Sequence, residues 1–235
     1  MNADMLSERL FESLVAGDRT ASRIVIQQAI DNGFETDRLL PEVYWPLYKS
    51  LVKLEREDQL TSLAFGSATK LLRVLVDQAA AATTLRPPTG QRVLAVCGPT
   101  DPDELAAQIA TDLLEREGFE IRFAGGGIAM DEVLEEVQKS QPDALLIFAS
   151  APSDLPSIRE LIDTMIEIDA SRATQVIVGG GVFHRAEGLA EEIGADLWAN
   201  DPEELVEAMV SEPGRRMEQS QRTVGKGRQP QRQAA

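Results

Sequence analysis

Between Thr83 and Gln91 the sequence changes its rhythm, and this change limits the folds open to the chain more than any other feature. Before it, apolar residues recur at helical spacing. After it, short apolar runs of strand length alternate with helix-length segments. The dividing stretch, TTLRPPTGQ, is rich in turn formers and marks a boundary.

On the N-terminal side, Leu6, Leu10, Phe11, Leu14 and Val15 lie on one helical face, and Gly17-Asp18 supplies a stop and a new start. SRIVIQQAIDNGF repeats the pattern with Ile24, Ile26, Ala29 and Ile30 before the C-cap pair Asn32-Gly33. LLPEVYWPLYKSLVKL and LTSLAFGSATKLLRVLVDQAAAA continue the period, with Pro41 near a start and Pro46 placed to kink the third helix. Residues 1–82 therefore read as a bundle of four or five helices, followed by a linker at 83–91. On the C-terminal side VLAVCG, EIRFAG, ALLIFAS, QVIVGGG and a short ADLWA read as strands with helices between them. The expectation for residues 92–211 is a five-stranded parallel, doubly wound sheet of the flavodoxin-like kind. Its apolar strands would be buried on both faces, and ligand chemistry belongs at their carboxyl ends. The loops at 98–103, 125–130, 150–156 and 179–184 are the places to search. Residues 212–235 read as a disordered basic tail.

Charge and composition exclude several classes. A net charge of −16 opposes nucleic acid and anionic lipid. The tail from Glu212 holds six basic and two acidic residues, so residues 1–211 carry about −20. No apolar run reaches the roughly 18–20 residues of a membrane span, and the acidic N-terminus is unlike a signal peptide, so a cytoplasmic location is expected. One cysteine, Cys97, and one histidine, His184, allow neither an intramolecular disulfide nor a zinc cluster. Cys97 reads as a small buried hydrophobe.

A helical cap before a five-stranded α/β unit, together with LLEREGFEIRFAGGGIAMDEVLEEVQKSQPDALLIFAS, IVGGGVF and EEIGADLWANDPEELVEAM, resembles the cobalamin-binding modules of methionine synthase, methyltransferase corrinoid proteins and cobalamin photoreceptors. The resemblance covers roughly residues 5–211. In that family the loop after the first strand carries D-x-H-x-x-G, whose imidazole ligates cobalt. Counted back from Gly118-Phe119-Glu120, the motif falls on Asp101-Pro102-Asp103-Glu104-Leu105-Ala106. The first Asp is kept, the ligating His is Asp103, and the closing Gly is Ala106, so a hard carboxylate replaces a nitrogen donor. The upper-face signature of light-sensing relatives is likewise absent: Glu55 stands at the Trp position and Phe65-Gly66 at the Glu-His pair, although Ala68-Thr69 is kept. Trp45 and Tyr44 either line a cap pocket or belong to the core.

The resemblance implies a nucleotide-tail channel lined by Ser150 and Ala151 after the third strand and by Gly179, Gly180 and Gly181 after the fourth. With Asp101 and Asp103 these are the candidate cofactor-binding residues. Glycines permit close backbone approach and expose N–H donors, though a glycine run is equally a tight turn, and Gly125-Gly126-Gly127 allows the same two readings. Acidic residues at 101–104 either bind a cation or, as the simpler reading, cap a helix. A phosphoacceptor Asp is missing from the end of the third strand, where Phe148-Ala149-Ser150 stands, and Asp154 comes four residues too late.

The functional expectation is a non-catalytic cobalamin-binding-like sensor or regulatory module that takes a corrinoid without His ligation and signals to a protein partner. No catalytic or metal-ligating residue is nominated. The rival reading is a vestigial pocket on a protein-interaction scaffold. Two further readings are a haem-binding sensor with His184 as axial ligand and a corrinoid subunit of a methyltransferase.

Overall fold

The computed structural model describes residues 2–169, 173–186 and 188–217. Four helices open the chain: α1 (Ala3–Val15), α2 (Arg19–Asp31), α3 (Trp45–Arg56) and α4 (Ser62–Ala82). Three start on side-chain caps that accept otherwise orphaned N–H groups: Asn2 from Met5, Asp18 from Ala21 and Thr61 from Ala64. The kink expected near the two prolines is a π turn at Leu40–Tyr44 that runs into α3. There Trp45 N–H reaches back to the Leu40 carbonyl, just ahead of Pro46, which has no N–H to continue a regular ladder.

Five parallel strands follow: β1 (Arg92–Cys97), β2 (Glu120–Gly126), β3 (Ala144–Phe148), β4 (Gln175–Gly179) and β5 (Leu197–Ala199). They lie in the order β2-β1-β3-β4-β5, so the doubly wound sheet expected from the sequence is present, with its switch point between β1 and β3. The connecting helices are α5 (Asp101–Arg116), α6 (Met130–Ser140), α7 (Leu155–Glu167), α8 (Gly181–Arg185), α9 (Leu189–Ile193) and α10 (Pro202–Ser211).

Helix α5 joins the two halves. Leu105, Ala106, Ile109 and Leu113 belong to the same apolar core as Leu10, Leu47, Leu51 and Leu72 of the bundle. Ala107, Ala110 and Leu114, on its other side, pack on Val93, Ala95 and Leu146 of the sheet. On the opposite sheet face Val133, Val137, Ile158, Leu161 and Phe183 of α6, α7 and α8 close a second core. Burial on both faces holds for β3 and β4, whose residues are all buried, but not for β2. That strand is at the sheet edge and carries Glu120 and Arg122, and most of it is open to solvent.

Residues 212–217 are held against the sheet's amino end. Met217 N–H donates to Asp196 Oδ1 at 2.7 Å, and Gln175 Nε2 donates to the Arg215 carbonyl at 3.1 Å. The remainder of the expected basic tail lies outside the described residues. Among those described, no helix is long and apolar enough to cross a membrane.

Candidate functional site

Parallel strands direct their carboxyl ends toward one rim, and the expected site residues lie along it: Asp101 and Asp103 in the first turn of α5, Ser150, Ala151 and Gly180 in loops, Gly179 at the end of β4 and Gly181 at the start of α8. At the β1/β3 switch point a cleft of about 340 Å³ is lined by Gly98, Pro99, Ile128, Ala129, Ala149 and Asp154 among others. Its volume is at the low end of the roughly 300–1,000 Å³ typical of small-molecule pockets. A hollow of about 360 Å³ beside β5 is comparable in size, but Glu191, Asp196, Glu204, Glu207 and Glu212 line it, and such a wall disfavours a phosphate-bearing ligand.

Asp103 is the buried acid of this rim, with 2% of its surface exposed. Helix α5 is capped by Thr100 rather than by an acid: the Thr100 hydroxyl accepts from Asp103 N–H at 3.2 Å and donates to Asp103 Oδ2 at 2.5 Å. The capping role expected for the acidic run thus belongs to the threonine before it. Asp103 Oδ1 is buried and has no hydrogen-bond partner, and neither has Asp154 Oδ2. Around them, burial and the nearby charges of Glu104 and Asp103 push the Cys97 thiol up to about 12, so it stays a neutral thiol. Burial, with the Asp103 charge as a second cause, also raises the Tyr48 phenol, which brings α3 of the cap close to this carboxylate.

Asp101 is exposed, and its carbonyl accepts from Arg73 Nη2 of α4 at 3.3 Å. Arg73 Nη1 also donates to Glu104 Oε2 at 2.9 Å, while Glu104 Oε1 accepts from Gly126 N–H at 3.4 Å. This chain of contacts ties the cap to α5 and to the end of β2.

The loops after β3 and β4 are occupied by the protein itself. Gly180 has φ +103°, and a Cβ there would stand 2.3 Å from the Ala149 carbonyl oxygen. Glycine is required at that point for the two loops to pass each other. Arg185 Nη2 donates to the Ser150 carbonyl at 2.5 Å, and its Nη1 lies 2.6 Å from where a Gly181 side chain would begin. Ala151 precedes the turn that carries Asp154. Gly179 and Gly180 line a small seam, about 20 Å³, with Trp45, Phe148 and Asn200. Trp45 stacks on Tyr48 with ring centroids 5.3 Å apart, and its Nε1–H has no partner. Of the two aromatic residues left open by the sequence, Tyr44 is core and Trp45 lines this seam. His184 is exposed, with Nδ1 2.9 Å from Asn200 Oδ1.

No single cavity gathers all seven expected residues. Asp103 lies beside the switch-point cleft, Gly179 and Gly180 meet under Trp45, and Ser150 and Gly181 lie beneath Arg185. Sequence reasoning weighed Asp154 only as a misplaced phosphoacceptor and Ala106 only as a lost glycine, and passed over the Asn200–Pro202 loop after β5. A topological signal existed for that loop, since it too ends a parallel strand. The residues fit one limb of a corrinoid in the switch-point cleft. The seam between cap and sheet, about 20 Å³ with Trp45, Gly179 and Gly180 in its lining, is too narrow for a macrocycle.

Comparison with known proteins agrees with this architecture. The chain is 26% identical over 106 residues to dimethylamine corrinoid protein 3 of Methanosarcina acetivorans, a match covering 45% of this chain and 49% of that protein. The protein of the same name from Methanosarcina mazei is also 26% identical over 106 residues, 62% of its length. The chain thus spans about half the length of the first of these curated relatives. The monomethylamine corrinoid protein of Methanosarcina barkeri has the same fold, with a TM-score of 0.71 over 89% of this chain and 99% of that one at 16% identity. Residues 91–209 match the B12 binding domain family, and the chain, with half its length in that match, belongs to the family of B12-binding domains.

Proposed function

We propose that this protein is a non-catalytic regulatory module that binds a corrinoid without a histidine ligand and passes its loading state to a protein partner through the helical cap. The observation that carries the reading is Asp103. Counted back from Gly118-Phe119-Glu120 it falls at the family's imidazole position, and it is buried beside a limb-sized cleft with one oxygen unpartnered. A corrinoid supplies light-sensitive cobalt–carbon chemistry when it carries an alkyl group, and the protein's part is to seat and shield it. Gly98, Ile128, Ala149 and Asp154 would take one limb, and Asp103 would offer an acceptor oxygen toward the lower face. Ser150, Ala151 and Gly179–Gly181 would form the rim beyond, and the exposed Asp101, whose carbonyl accepts from Arg73, would stand at the edge of the cap. Trp45 and the Arg73–Glu104 pair must release for a ring to enter, so binding is coupled to the position of the cap.

A second reading, a protein-interaction scaffold with a vestigial pocket, is favoured by one feature: the seam beneath Trp45 is closed. The similarity to methylamine corrinoid proteins supports a third, a carrier subunit working beside a methyl-transferring partner. The test is to mix the protein with hydroxocobalamin, adenosylcobalamin and haem separately in the dark, desalt, and record absorbance spectra. Retention of a cobalamin with a water- or base-ligated spectrum supports the first reading. A spectrum of nitrogen-ligated haem that is lost in His184→Ala favours a haem sensor, and loss of every tetrapyrrole on desalting leaves the scaffold.

A further inference from the structure

Asp103 and Asp154 reach the switch point from opposite sides, one from the first turn of α5 and the other from the 3-10 turn at Pro152–Asp154 that follows β3. Their Oδ2 atoms converge over Gly98, 2.7 and 3.3 Å from the point where a side chain would begin. Asp103 is almost wholly buried, and each carboxylate keeps one buried oxygen without a partner: Oδ1 of Asp103 and Oδ2 of Asp154. Their other oxygens are taken by Thr100, at 2.5 Å, and Ser153, at 3.4 Å. Among the described residues, neither acid forms an ion pair, since the arginines and lysines in such pairs are matched to other acids. A buried carboxylate and a half-buried one that meet over Gly98 without a counter-charge are costly, and a cation offsets much of that cost.

We infer that Asp103 and Asp154 form a binding site for a hydrated, hard divalent cation of the Mg²⁺ class. The two carboxylates offer oxygen donors, which suit Mg²⁺ or Mn²⁺, and Cys97, which also lines the cleft, is held as a neutral thiol and is a poor ligand. Among the described residues, no group of three or more His, Cys, Asp or Glu is arranged to hold a metal. Two carboxylates with water completing the shell are the usual provision for Mg²⁺, whereas a dehydrated Ca²⁺ or Zn²⁺ site needs more protein ligands. The adjoining cleft of about 340 Å³, lined by both Gly98 and Asp154, gives such waters room and a path to solvent. The site shares Gly98, Asp103 and Asp154 with the proposed corrinoid limb but needs no corrinoid, so a titration of the tetrapyrrole-free chain tests it apart from the proposed function.

The test is a Mn²⁺ titration of the full chain, free of tetrapyrrole, followed by electron paramagnetic resonance of the free ion. The protein is expected to deplete the free-ion signal near stoichiometrically, and Mg²⁺ in excess is expected to restore it. Asp154→Asn removes a ligand. Gly98→Ala puts a methyl group between the carboxylates at a residue whose backbone tolerates a side chain, and circular dichroism checks that both variants are folded. Each variant should weaken Mn²⁺ retention roughly tenfold or more. An undiminished free-ion signal with the unaltered protein overturns the inference, as does retention unchanged in both folded variants.

Discussion

Two loops at the same end of the sheet divide their polar groups in opposite ways. In the loop after β4, Gly180 makes room for the Ala149 carbonyl and Arg185 covers the Ser150 carbonyl, so the backbone's needs are met from within. Beside β1, Asp103 is buried with an oxygen that nothing in the protein satisfies, and the half-buried Asp154 also has one buried oxygen without a partner. Viewed as sequence, the glycine run is equally a ligand cradle or a tight turn, and the acidic run is a cation site or a helix cap, with Asp101 and Asp103 also candidate cofactor contacts. Folded, the glycines serve the chain and the buried acid has capacity left for a ligand. A run of residues suited to binding is therefore weaker guidance than one buried polar atom without a partner.

The sharpest way to break this contrast is at Gly180. An alanine there meets a backbone oxygen and a positive φ together, so Gly180→Ala should destabilise the fold by about 3 kcal/mol, measured by urea unfolding. A loss below about 0.5 kcal/mol would return the glycine to the ligand's account.

Asp112 supplies a control on α5 itself. Its Oδ2 is also buried without a partner, yet it lines none of the cavities described. Burial first, then the charges of Glu115 and Asp77, raise its carboxyl to about 7 from an ordinary 3.8. The folded state therefore holds this proton more tightly than the unfolded chain. The carboxyl costs nothing below pH ~4, and its penalty grows as pH rises toward 7 and is constant above. Asp112→Asn should stabilise the protein by on the order of 1 to 2 kcal/mol at pH 8 and by progressively less toward pH 4, as thermal melts across that range will show. The same substitution at Asp103 should instead register in ligand or cation binding.

A smaller effect is expected from Arg73→Ala, which cuts the link from α4 to Glu104 and the Asp101 carbonyl. The pair is about one-third exposed, so the loss should be about 1 kcal/mol, seen with faster limited proteolysis in the bundle. Smallest of all is Ser150→Ala, since Arg185 uses the Ser150 carbonyl and not the hydroxyl. A change within about 0.5 kcal/mol is expected.

The sheet and the helical half were legible because their signals are local and periodic. ALLIF and QVIVG carry strand-length apolar runs that are buried as anticipated, and Leu6, Leu10 and Leu14 mark one helix face. The π turn before α3 was legible only as a kink, since two prolines announce that a ladder breaks without saying how. The site was far less readable. Asp154 had been set aside because its distance along the chain was wrong for the end of β3, and no spacing rule brings it beside Asp103 across the switch point. The role of Thr100 was hidden by three acids following it in the first turn of α5. Trp45 acts through a contact between the two halves, which depends on α5 sharing its faces between the bundle and the sheet.

The most direct test compares hydroxocobalamin retention, after desalting, by the unaltered protein and by Ser157→Trp, an exposed position on α7 that lines the switch-point cleft. Retention by the first and loss by a folded Ser157→Trp is the expected result, because the indole would fill the space for the limb. Equal retention by both, or none by the unaltered protein, would contradict a corrinoid site at the ends of β1 and β3.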